Sequence, residues 1–156
     1  MLISIIFALL ATMAFGIIFN APRKTLPALG FVGAAGWAVF ILMWDVLGYS
    51  SPVSNFGGTM VLAVLSELFA RLFRQPVTVF AIPGIIPLVP GLPIYQGMVY
   101  LLMNAYGIGM EKLISASVDA GAISLGILLI SSLFRVFKVR RDKLFLAKHS
   151  EVHRAK

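Results

Sequence analysis

Glu67 and Arg71 stand four residues apart in a stretch, 56–73, that is otherwise apolar. That spacing is about one helical turn, so the two side chains share a face and can neutralise one another. A carboxylate within an apolar helix is a functional candidate, because a charge is expensive there unless it is paired or used. The pair has two readings: a simple neutralising ion pair, or a proton-coupling carboxylate held by its arginine. Glu67 and Arg71 are the coupling candidates.

A second unusual segment is PGIIPLVPGLP at 83–93, which gathers Pro83, Pro87, Pro90 and Pro93 with Gly84 and Gly91. An interior proline removes a backbone donor and crowds the preceding turn. Yet Ile85, Ile86, Leu88, Val89 and Leu92 between them are too apolar for a surface loop. Irregular backbone at membrane depth survives only where protein or a watery cavity surrounds it, and such broken helices form solute sites in secondary transporters. Behind the segment come Tyr95 and then Gln96, Tyr100 and Asn104 at intervals of four, which predicts one polar helix face. The solute-path candidates are therefore Pro83, Gly84, Pro87, Pro90, Gly91, Tyr95, Gln96, Tyr100 and Asn104. A kinked structural helix and polar contacts between helices are the plainer readings of the same residues.

Other chemistry is sparse. No Lys-Ser/Thr follows Gly84 to Gly91, so no phosphate loop is present, and Gly107-Ile-Gly109 is not a dinucleotide fingerprint. His149 and His153 are one turn apart in the tail beside Glu151, a spacing that could hold a metal, but the tail offers no folded surround, so no metal or other cofactor is expected. No nucleophile–base constellation is visible, and an enzyme is not expected. Asp45 and Asp119 are expected near the outer face as solvated interfacial acids or guards of an outer mouth.

The elements that must position these residues are membrane helices. Apolar residues make up 60% of the 156, charged residues 12%, and mean hydropathy is +0.97. A soluble domain of this size could not hide so much apolar surface. The net charge of +7 resides almost wholly in the segment from Arg135 onward, so it marks a basic tail and not a nucleic-acid surface. With no cysteine, disulfides and thiol chemistry are excluded. A crossing helix needs about 20 apolar residues. Candidate spans lie at 2–19, 28–48, 56–73, 77–106 and 113–137. Arg23 and Lys24 follow the first span, 49–55 is uncharged, Arg71 and Arg74 end the third, and the tail is basic. Because lysine and arginine collect on the cytoplasmic side, this alternation predicts an outside N-terminus and a cytoplasmic C-terminus. The first span has no basic residue before it and no small-x-small site after it, so it reads as a retained helix and not a signal peptide.

The fold class expected is thus an all-α integral membrane protein with five spans, the fourth broken by its Pro/Gly segment. One transmembrane domain covers 1–138, and a basic cytoplasmic tail covers 139–156, as a stop-transfer anchor or a lipid-surface contact. Gly30, Gly33, Ala34 and Gly36, and Ala116, Ser117, Ala120, Gly121 and Ser124, permit close helix contact. Such packing in so small a chain predicts assembly with itself or with another subunit.

Phe19-Asn20-Ala21-Pro22 closes the first span ahead of a basic pair and a glycine-rich second span. Arg71 and Arg74 lead to Gln75-Pro76, Ile82-Pro83 and Leu88-Val89-Pro90-Gly91, with Tyr95 behind. In these features the chain resembles the threonine/serine exporter family, specifically its small C-terminal-type half, the YjjB-like membrane proteins. The resemblance covers nearly the whole chain and is most specific in the proline-rich segment. It makes Asn20, Pro83, Pro90 and Gly91 family-motif positions. It implies a multi-pass protein of the cytoplasmic membrane, acting with a larger YjjP-like partner. It further implies proton-driven export of threonine and serine or of a succinate-type dicarboxylate. A non-transporting structural subunit that stabilises or localises a partner is the alternative.

Overall fold

The computed structural model describes the backbone of residues 1–154 and the side chains of residues 1–136. It is helical throughout: α1 is Leu2–Ile18, α2 Leu26–Ile41, α3 Ser51–Phe73, α4 Thr78–Ile85, α5 Gly91–Leu102 and α6 Tyr106–Arg154. A π turn, Leu42–Val46, prolongs α2, and a 3-10 turn, Ile86–Leu88, follows α4.

Local chemistry sets the ends. Pro27 and Pro52 occupy the first turns of α2 and α3, where a helix has no use for the missing amide. Three helices close in the same way, on a left-handed residue: Asn20 after α1, Arg74 after α3 and Asn104 after α5. At the first, the Asn20 amide donates to Ile17 and the Ala21 amide to Gly16, 3.0 and 2.8 Å. The Gln75 amide to Ala70 and the Ala105 amide to Tyr100 repeat the Ala21–Gly16 bond, both at 2.9 Å. This crossed pair of bonds satisfies carbonyls that the helix leaves free, and asparagine tolerates the left-handed conformation it needs.

Small residues set the packing. A Cβ on Gly33 would collide with Thr12, one on Gly30 would come within 2.7 Å of Met13, and one on Gly58 would lie 2.7 Å from the Gly36 carbonyl oxygen. Thus α1 runs antiparallel along α2, and α2 antiparallel along α3. By contrast α3 and α6 are parallel: Ser51 meets Asp119, Thr59 packs on Gly126, and Arg71 reaches Phe134. The core has two clusters, Val32, Leu62, Leu88 and Ile123 in one, Leu29, Ala70 and Phe80 in the other.

By length and composition, Arg23–Val46, Ser51–Phe73 and Tyr106–Val136 can each cross a membrane, and Thr78–Leu88 with Gly91–Leu102, bent by 50°, makes a fourth if it is one span. Against five expected spans this gives three or four, α1 being apolar but only 17 residues long. The expected break in 77–106 is present, though narrower than the proline-rich segment. Pro83 and Gly84 still belong to α4, and Gly91 to Pro93 form the first turn of α5. The change of direction falls at Val89, which is extended, and at Pro90.

Two further expectations are corrected. Asn104 does not extend the Gln96–Tyr100 face, because α5 has ended at Leu102 and Asn104 is a left-handed turn residue whose Oδ1 accepts a bond of 2.9 Å from the Tyr106 hydroxyl. Asp119 is no solvated interfacial acid, for the parallel packing of α6 on α3 leaves it 3% exposed, while Asp45 is exposed. Residues 106–118 continue past the Ser51–Asp119 contact for about 20 Å at about 1.5 Å per residue. There α5 packs on them, Gly97 against Leu113 and the Gly109 backbone. α6 stays helical to Arg154, with no backbone boundary at 138. The side chains of the basic tail, His149 and His153 among them, lie outside the described residues.

If Asn20 and Asn104 act as caps, glycine should replace either with a stability change within about 0.5 kcal/mol, whereas valine should cost about 1–2 kcal/mol. Thermal unfolding of the purified variants measures the difference.

Candidate functional site

The turn from α3 to α4, closed by left-handed Arg74, brings the last turns of α3 beside the first turn of α4. The parallel course of α6 adds Ser131, Phe134 and Arg135 to the same place. Between the three helices lies a cleft of about 460 Å³ whose polar lining is Glu67, Arg71, Thr78, Ser131 and Arg135. Glu67 and Arg71 are 3.9 Å apart, with side chains 14% and 51% exposed. The Arg71 guanidinium also sits over the Phe134 ring, 4.9 Å from its centroid. An aromatic face stabilises a cation and restricts its rotamers, so Arg71 is held by both a carboxylate and a ring. The contact with Glu67 is long and Arg71 half exposed, so the ion pair by itself is weak. Both charges remain available to a third group.

A second cleft, of about 260 Å³, lies on the other side of α4's first turn, between Phe19, Asn20 and Ala21 after α1 and Thr78, Val79, Ile82 and Pro83. Thr78 therefore borders both. Its position is fixed by Phe80, which is fully buried against Leu29, Ala70, Phe69 and Phe73.

The sequence-derived candidates divide accordingly. Glu67 and Arg71 meet in the first cleft, and Asn20 and Pro83 in the second. Gly84 is buried where a Cβ would lie 3.2–3.3 Å from Val32 and Leu62, so its role is close packing. Pro87 is half buried, Pro90 is buried at the start of α5, and Gly91 has open space around it. Tyr95 is exposed and Gln96 and Tyr100 half buried on α5, away from both clefts. Sequence reasoning missed Thr78 and Ser131, and it read Arg135 only as the end of a span. The available signal was that Ser131 and Arg135, like Glu67 and Arg71, are spaced i, i+4 at the end of an apolar run.

One acid, two arginines and two hydroxyls in one cleft form a binding arrangement. The set contains a partner for an anionic group and one for a cationic group, with hydroxyls able to donate or accept. No side chain there forms a nucleophile–base pair.

In comparison with known protein families, the one described as "Threonine/Serine exporter, ThrE" matches residues 4–133. No solved structure matches the chain.

The cleft should be open to water although its walls are apolar helices. The chain has no cysteine, so single-cysteine variants report cleanly. Thr78→Cys and Ser131→Cys should react readily with a water-soluble maleimide, whereas Leu62→Cys and Phe80→Cys, at fully buried positions, should react at least tenfold more slowly.

Proposed function

The chain belongs to the threonine/serine exporter family, and from that premise we propose that it is one subunit of a secondary exporter of small hydrophilic metabolites. It is a multi-pass membrane protein of a transporter family, not of an enzyme family. The finer reading is a subunit in the cytoplasmic membrane, without catalytic activity, that exports threonine and serine with a larger YjjP-like partner, driven by the proton gradient.

The observation that carries this reading is the cleft holding Glu67 with Arg71 and Arg135. A free amino acid presents a carboxylate and an ammonium group a few ångströms apart. Arginine is suited to the first, since its planar fork matches a carboxylate, and Glu67 to the second. Thr78 and Ser131 can bond the hydroxyl of threonine or serine. A succinate-type dicarboxylate would use both arginines and leave Glu67 opposing it, so the charge pattern favours the amino acid.

Five crossings with the N-terminus outside remain the preferred arrangement. In support, α1 packs along α2 from Gly16 to Thr12 and onward, at the same height in the bundle. Arg23, Lys24, Arg71, Arg74 and Arg135 lie towards one end of it, which would face the cytoplasm. On this reading the cleft opens to the side from which solute is exported. Residues 1–138 would form one transmembrane domain and 139–156 a cytoplasmic tail. Both clefts are partly open, which supports completion of the pathway by another subunit. The exposed apolar residues Leu92, Met98, Leu102 and Met110, on the hairpin of α5 with the start of α6, support the same view.

The test is efflux of preloaded labelled threonine, serine and succinate from cells lacking their own exporters. Cells carry this chain, the larger partner, or both. Threonine and serine should leave only with both, and Arg71→Gln should lower that efflux at least tenfold at unchanged membrane abundance. Glu67→Gln should abolish the response to the proton gradient. Absence of efflux in every combination, with both proteins in the membrane, would instead favour a non-transporting structural subunit.

A further inference from the structure

Asp119 borders neither cleft. It belongs to a buried stripe of α6, Ala116, Asp119, Ile123, Gly126 and Ile130, spaced alternately by three and four, which meets α3 at Asp119 and Gly126. Seams of this spacing are ordinarily filled by apolar or small side chains. Here one position holds a carboxylate that is 3% exposed, and it is linked through Ser51 to Asn55 of α3, also 3% exposed.

The hydrogen bonds around it run in one direction. The Asn55 Nδ2 donates to Ser51 Oγ at 3.3 Å, and Ser51 Oγ donates to Asp119 Oδ2 at 2.8 Å. These bonds use the Ser51 hydroxyl and one of the two Asn55 Nδ2 hydrogens. Asn55 Oδ1 and Asp119 Oδ1 are both buried without a donor among the described residues, and the Thr59 hydroxyl one turn further along α3 is likewise without a partner. Two acceptors and a negative charge are left in a water-poor seam, which is costly unless something positive joins them. Neighbouring charges do not supply it. The ion pair found among the described residues is Glu67–Arg71, at the far end of α3. The titratable groups of α5 are Tyr95 and Tyr100, the segment before α3 carries Asp45 and Tyr49, and Glu111 and Lys112 precede Asp119 on its own helix by about two turns.

We infer that Asp119, Asn55 and Ser51 form a binding site for a small monovalent cation, a sodium ion or a proton. A sodium ion would be ligated by Asp119 Oδ1 and Asn55 Oδ1, both hard oxygen donors. A proton on Asp119 Oδ1 would be donated to Asn55 Oδ1. Either satisfies both acceptors and cancels the single charge, whereas a divalent ion would leave an excess. Only the use of the site in transport rests on the exporter reading; binding of the cation does not.

The test follows the thermal unfolding midpoint of the full chain purified in detergent. One series replaces choline chloride by sodium chloride at constant ionic strength, and a second lowers the pH from 9 to 5 without sodium. A ligand bound only by the folded state stabilises it, so the wild-type midpoint should rise by roughly 3–6 °C as the cation saturates. A rise with sodium alone assigns sodium, and a rise with falling pH alone assigns the proton. Asp119→Asn carries an amide donor in place of the charge, so it should lose the response and match the saturated wild type. Asn55→Ala keeps the carboxylate and removes one acceptor, so the half-saturating concentration should rise about tenfold. The inference is overturned if the wild type and Asp119→Asn respond identically to both series, as they would were a bound water alone to satisfy the two acceptors. Should Asp119→Asn not fold, an unchanged half-saturating concentration in Asn55→Ala overturns it equally. Since nothing is transported in this assay, its failure is distinct from failure of the efflux experiment.

Discussion

The close approach of α3 to its neighbours on two sides is the constraint on which the remaining structure depends. Gly36 and Gly58 let α2 and α3 touch through backbone, and Gly126 lets Thr59 sit against α6. With no apolar solvent effect to drive helices together in lipid, such contacts supply association through van der Waals packing. Because α6 is pressed along α3 in parallel, its inner residues have defined counterparts in order: Asp119 with Ser51, Gly126 with Thr59, Phe134 with Arg71. The cleft beside Glu67 lies where the start of α4, packed on α2 and α3, comes beside the α3–α6 pair.

Polar groups follow from that arrangement at both ends of one interface. Near one end, Glu67, Arg71, Ser131 and Arg135 border a cleft; near the other, Asp119 and Asn55 are sealed within the seam. The two stations share α3 and α6 but differ in access. The first is a cleft of about 460 Å³, whereas Asp119 and Asn55 are each 3% exposed. On the proposed reading a solute site and a cation site share one helix pair, so a shift of α6 along α3 would alter both.

Much of this was legible in the residues. Hydropathy located the long helices, and the prolines located the break, because both depend on properties local to the chain. Glu67 and Arg71 were legible as a pair for the same reason. Placement across helices was not. Nothing near Ser131 says that it faces Thr78; only the parallel docking of α6 does so. Asp119 was misread because hydropathy reports depth along a span and not which face a residue takes, although the three-and-four spacing of Ala116, Asp119, Ile123 and Gly126 could have shown it. Asn104 was misread because spacing by four was extended past a helix end. The left-handed turn there was also available in the sequence, as an asparagine closely followed by glycine. Asn20, a family-motif position by resemblance, proves to be a cap that also borders the second cleft.

The central claim is that solute binds in the cleft between α3, α4 and α6, and the most direct test is protection from chemical modification. In membranes carrying the Ser131→Cys variant with the larger partner, the rate of maleimide labelling would be measured against rising threonine concentration. The account predicts a saturable slowing of at least several-fold, absent with a solute that the exporter does not carry. An unchanged rate at Ser131→Cys, together with protection of a Tyr95→Cys variant, would contradict it and move the solute path to α5.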